Sequence, residues 1–151
     1  MVQYALVVTL ALVSAWPSSL AGQAAEKGHS MRTAITVTIG DEAFAATLAD
    51  NATAMAFKKL LPLSITMTEL NGNEKFAKLS GTVPAHASVP ASIRTGDLML
   101  YDSNTLVLFY KSFSTTYSYT KIGKVDDPAG LEAALGSADV AVTFEARRQK
   151  E

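Results

Sequence analysis

Beyond residue 31 the chain opens on strict alternation. Ile35, Val37 and Ile39 are apolar and Thr36 and Thr38 between them are polar, the period-2 pattern of a strand with one buried face. Gly40-Asp41 supplies a glycine-first hairpin turn, and Phe44, Ala46 and Leu48 alternate on the way back. Asp50 or Asn51 then predicts the cap of a helix over residues 52–61, with Ala56, Phe57, Leu60 and Leu61 as its apolar stripe and Pro62 as its stop. Ile65, Met67 and Glu69 lead into Asn71-Gly72, the strongest hairpin signal in the chain, and residues 75–79 read as the returning strand. Residues 82–95 hold Pro84, His86, Pro90 and four Ser or Thr residues, which predicts a long surface loop.

Two nearly unbroken apolar runs follow, residues 98–101 and 105–110, joined by Asp102-Ser103-Asn104. Such runs imply burial on both faces or a tightly closed barrel. Residues 112–119 are rich in Ser, Thr and Tyr. They fit either the lining of a ligand groove, since Tyr combines a flat apolar face with a polar tip, or a strand with an exposed face. Residues 119–125 are a further strand candidate. Asp127-Pro128 reads as a helix cap with Pro at the first helical position, Leu131, Ala134 and Leu135 as the stripe, and Gly136 as the end. Val140, Val142 and Phe144 form a last alternating strand. With no internal repeat and no linker, residues 31–145 read as one domain and 146–151 as a charged tail.

Residues 1–30 differ in character. No charged side chain precedes Glu26, and residues 4–15 are a mostly apolar run of twelve, followed by Trp16-Pro17. That is the length of a signal-peptide core rather than of a spanning helix, which needs about 18–20 residues. Ser19 and Ala21 place a cleavage site before Gly22, although no Lys or Arg precedes the apolar run. The expectation is a periplasmic or secreted protein with no stable membrane span once processed. The alternatives are an uncleaved membrane anchor and a cytoplasmic protein that starts at Met31.

Composition removes several chemistries. The 151 residues carry 13 basic and 14 acidic side chains, a net charge of −1 that offers no footprint for nucleic acid. With no cysteine, thiol catalysis, disulfides and Cys-ligated metals are excluded, and two His (His29 and His86) cannot build a His-rich metal site. No metal and no cofactor is implied, since neither the phosphate-loop nor the dinucleotide glycine pattern occurs. A Ser–His–Asp triad has only His29 and His86 to draw on, and no G-x-S-x-G elbow is present. Glu69 and Glu74 flank the Asn71-Gly72 turn, but acid–base chemistry needs an apolar pocket that raises a pKa and nothing nearby supplies one, so both read as surface charge. Asn51-Ala52-Thr53 fits the glycosylation pattern, and helix capping accounts for it.

The order of elements, together with residues 70–75 (Leu-Asn-Gly-Asn-Glu-Lys), 96–101 (Gly-Asp-Leu-Met-Leu-Tyr), Phe109-Tyr110-Lys111 and Gly123-Lys124-Val125, resembles the small bacterial cyclophilin-like fold family. The resemblance covers residues 31–145. It implies a mainly β fold, a small closed β-barrel with two short helices capping its ends, distantly like the peptidyl-prolyl isomerases. Active cyclophilins carry a catalytic Arg, then an aromatic and a Gln, on the strands after the first helix. Here residues 64–70 hold no Arg, and the domain has no Gln before Gln149. Where cyclophilins place a groove His, the register puts Tyr119.

The sequence therefore points to a non-catalytic binding module that holds a small molecule or peptide against Tyr101, Phe109, Tyr110 and Tyr119. The alternative is a prolyl isomerase with a non-standard site, in which Lys75, Arg94 or Lys121 reaches the groove.

Overall fold

Eight strands close into an antiparallel barrel in the computed structural model, which describes residues 32–148. In chain order the elements are β1 Ala34–Ile39, β2 Glu42–Leu48, α1 Ala52–Lys58, β3 Leu63–Leu70, β4 Glu74–Lys78, β5 Asp97–Tyr101, β6 Thr105–Phe109, β7 Thr120–Val125, α2 Leu131–Leu135 and β8 Val140–Ala146. Around the barrel they run β1-β2-β7-β5-β6-β4-β3-β8. Closure leaves no free sheet edge, the feature that otherwise exposes unpaired backbone groups.

The hairpins sit where alternation and turn residues placed them. Gly40 takes φ 57° between β1 and β2, and Asn71 and Gly72 take φ 57° and 67° between β3 and β4. Positive φ at both central positions is the geometry for which Asn-Gly is favoured. Gly123 is required for a different reason. A Cβ there would stand 2.5 Å from the Thr47 carbonyl oxygen, so only glycine lets β7 lie this close to β2.

Both predicted helices are present, with different details. Asn51 is the cap of α1: its side-chain oxygen accepts from the Ala54 amide at 2.7 Å, and its Nδ2 donates to the Lys121 carbonyl at 2.8 Å. The helix ends at Lys58 rather than running to residue 61, because the chain tightens into i→i−3 bonds such as Leu60 N to Phe57 O at 2.9 Å. The buried face is consequently Thr53, Ala54 and Phe57, while Leu60 is exposed. Asp127 does not cap α2. Its carboxylate accepts from the Ala129 amide in a local turn, and Gly130, in the left-handed region, stands at the cap position. Gly136 ends the helix as predicted.

Parity along the strands divides the buried residues into two bodies. Leu98, Leu100, Leu106 and Leu108 point into the barrel, where they join Ile35, Val37, Phe144 and the helical Phe57, Leu131 and Leu135. Met99, Val107 and Phe109 point outward, yet are equally buried. They form a second cluster with Ile93 and Tyr119, beneath the long segments before β5 and after β6. Those segments are anchored by isolated bridges, Ser88 to Tyr119 and Ile93 to Phe113. The unbroken apolar runs therefore reflect burial on both faces and a closed barrel together. No helix among the described residues is long and apolar enough to cross a membrane.

Candidate functional site

The outer cluster is the floor and wall of a groove. Its floor comes from the β4–β6 ladder, where Glu74 faces Phe109, Phe76 faces Val107 and Lys78 faces Thr105. Alternation puts all six on the outside of the barrel. One wall is the β3–β4 hairpin with Leu70, Asn71 and Asn73, and the other is the irregular segment carrying Phe113, Thr115, Thr116 and Tyr117. Tyr101 and Tyr119 close the side, and the cavity measures about 660 Å³, within the range of small-ligand sites.

Aromatic rings dominate the wall. Phe109 packs against Tyr119 at 5.5 Å between ring centroids and against Phe113 at 5.6 Å. Tyr101 meets Tyr119 at 5.8 Å and Tyr117 at 6.4 Å. These separations lie in the favourable range for edge-to-face and tilted pairs, so each ring holds its neighbour's orientation. Burial raises the pKa of the Tyr119 hydroxyl, and the nearby Glu74 charge adds to that.

Of the four aromatics expected to line a groove, Tyr101, Phe109 and Tyr119 come together here. Tyr101 and Tyr119 line the cavity, and the fully buried Phe109 supports them from below. Tyr110 does not join them. One residue further along than Phe109, it points to the opposite face, into the core, where it takes part in a separate polar cluster. Its hydroxyl donates to Glu69 at 2.8 Å, and the Lys75 ammonium lies 5.5 Å from its ring centroid. Lys75 is fully buried, ion-paired with Glu69, and donates to the carbonyls of Gly136 at 2.9 Å and Ala138 at 2.7 Å. Burial and the bond to Glu69 push the Tyr110 hydroxyl up to about 12.

Surface charge is not the explanation for either acid beside the hairpin. Burial works against the charge on Glu69, but the donors Lys75, Tyr110 and the Gly72 amide outweigh it and hold the carboxyl below the usual range. Glu74, on the other face, is only 8% exposed and is raised by burial and then by the Glu69 charge. A raised acid destabilises the folded state once it ionises, so Glu74 costs stability at pH above its raised value and stops doing so as pH falls through it. Glu74→Gln is therefore expected to raise the urea midpoint at neutral pH and to leave it unchanged well below the ordinary Glu range. A lowered midpoint at neutral pH would contradict this placement.

The cations proposed to reach the groove do not line it. Lys75 belongs to the core cluster, and Arg94 and Lys121 line a separate depression with His86 and Thr120. The groove's cation is instead Lys78, whose Nζ donates to the Thr105 hydroxyl at 2.7 Å and lies 3.4 Å from Asn104 Oδ1. Sequence reasoning missed Glu74 and Lys78 as groove residues, although the β4 register after Asn71-Gly72 sets Glu74, Phe76 and Lys78 on one face.

No curated protein matches the chain. The eight-stranded closed barrel with its two short helices is what the resemblance of residues 70–75, 96–101 and 109–111 implied, and residues 37–145 match the Cyclophilin-like family. The chain belongs to the Cyclophilin-like family.

Proposed function

We propose that this barrel is a binding module and that the groove over β4 and β6 takes a small molecule or a peptide segment without transforming it. The observation that carries the reading is the groove itself: apolar and aromatic walls, held in place from beneath by Phe109. Pockets of this kind, with a few polar groups set in an apolar lining, are the usual form of a ligand site. The same proposal includes export, based on the apolar residues 4–15 with Ser19 and Ala21 after them; these lie outside the described residues. Protein from the native host is then expected to begin near Gly22 or Ala25, and a chain that keeps Met1 or starts at Met31 would contradict export.

Prolyl isomerisation is the second reading, and Lys78 is the observation that favours it. Twisting a prolyl amide means crossing a barrier of about 18–20 kcal/mol, and a fixed donor at the amide is the group that lowers it. Among the described residues no Arg lines the groove, and Lys78 already donates to Thr105. Loss of one well-placed donor typically costs about 10²–10³ in rate. In a protease-coupled assay on a proline-containing tetrapeptide, the expected rate is that of the uncatalysed reaction. Robust turnover that collapses in Lys78→Ala would replace the binding module with an isomerase.

A further inference from the structure

Glu74 is unlike the other buried acid of the fold. Asp97 accepts from the Arg94 amide at 2.9 Å. Glu74, equally buried as a residue, has no side-chain hydrogen bond or ion pair among the described residues, and its carboxylate oxygens meet solvent only at the groove. Beside it, the side-chain oxygen of Asn73 is also buried without a partner. Both residues line the groove, and both atoms are acceptors. A carboxylate on a residue this little exposed is normally paired, because partial loss of water already disfavours its charge.

The surroundings select what can pair with it. Phe109 is the cross-strand neighbour of Glu74, Tyr119 packs edge-to-face on Phe109, and the Glu74 charge is near enough to act on the Tyr119 hydroxyl, so aromatic rings adjoin the acid. Aromatic rings beside a carboxylate attract an organic cation. At the other end of the same strand face stands Lys78, about 13 Å away at the usual rise per residue. It repels a positive charge from that end, so the groove is polarised along its length.

We propose that the groove binds a small organic ammonium compound, its cationic head between Glu74 and Tyr119 and its apolar body over Phe76 and Val107. This rests on the binding-module reading. The upward shift of Glu74 agrees with it, since burial and the Glu69 charge disfavour the carboxylate charge that a bound cation would offset.

The test is a titration of the full chain with benzylammonium and with neutral benzyl alcohol of the same shape, followed by backbone amide shifts of Phe76 and Val107. Benzylammonium is expected to bind at least tenfold more tightly. Glu74→Gln should bring the two affinities together, and Asp41→Asn, in the hairpin on the far side of the barrel, should keep them apart. Equal affinities, or a preference that survives Glu74→Gln, would overturn the ammonium assignment and leave the groove as a binding site. Failure of both compounds to bind would overturn the two readings together. Tighter binding of Nα-acetyl-lysine N-methylamide than of benzylammonium would assign the cation to a peptide side chain and overturn the small-amine assignment.

Discussion

Replacing Lys75 by Met is expected to destabilise the barrel toward or below the lower end of about 3–5 kcal/mol, the range for removing one partner of a fully buried ion pair, because Glu69 keeps 22% exposure. The Met side chain fills the space but supplies no donor. Glu69 keeps Tyr110 and the Gly72 amide, yet loses the cation that offsets its burial, and the carbonyls of Gly136 and Ala138 lose a partner. Those carbonyls lie between α2 and β8, so Lys75 ties that connection to β4. Removing the acid as well, in Lys75→Met with Glu69→Gln, should recover part of the loss, because much of it is the stranded charge. The acid limb of stability supplies a second readout. Because its pKa is lowered, Glu69 stabilises the fold above the ordinary Glu range, and that contribution is lost as pH falls through the lowered value. Urea midpoints measured against pH should show this limb in the parent and lose it in Lys75→Met. An unchanged midpoint in Lys75→Met would contradict the burial of the pair.

Leu108→Ala is expected to cost about 2–5 kcal/mol, the usual range for a cavity left in a packed core. Leu108 is fully buried and faces the interior, opposite Leu98 on one side and Lys75 on the other. Its neighbours belong to paired strands of a closed barrel, which cannot collapse inward without breaking the ladder, so the cost should fall at the upper end. The neighbouring Val107 faces the groove floor, and Val107→Ala should cost less and alter the groove instead. A larger loss at Val107 than at Leu108 would mean that the inward and outward faces of β6 had been exchanged.

The barrel was legible because its signals are short-range. Period-2 runs set β1 and β2, Asn71-Gly72 set the β3–β4 turn, and the unbroken apolar runs marked strands covered on both sides. The helix details were not legible, because they depend on tertiary partners. Thr53 is buried since its hydroxyl donates to the Pro84 carbonyl at 2.5 Å, a contact across thirty residues that no helical stripe reveals. For the site, parity already separates Phe109 from Tyr110, since neighbours on a strand cannot share a face. Grouping them as two groove aromatics ignored that rule. The pattern of residues 112–119 leaves a groove lining and a strand both open; Thr115 and Tyr117 line the groove on an irregular segment, whose path follows from the long-range bridges at Ile93 and Tyr119.

In the reading proposed above, the outer groove is where this barrel meets its ligand. The most direct measurement is amide shift mapping of the isotopically labelled protein against a set of small aromatic and apolar compounds. The perturbed resonances are expected to gather on Phe76, Val107, Phe113, Thr116 and Tyr119, and Tyr119→Ala is expected to weaken the hits. Shifts gathered instead around Thr95, Ser112 and Pro128, or around His86 and Arg94, would place the ligand site elsewhere on the barrel and contradict that reading.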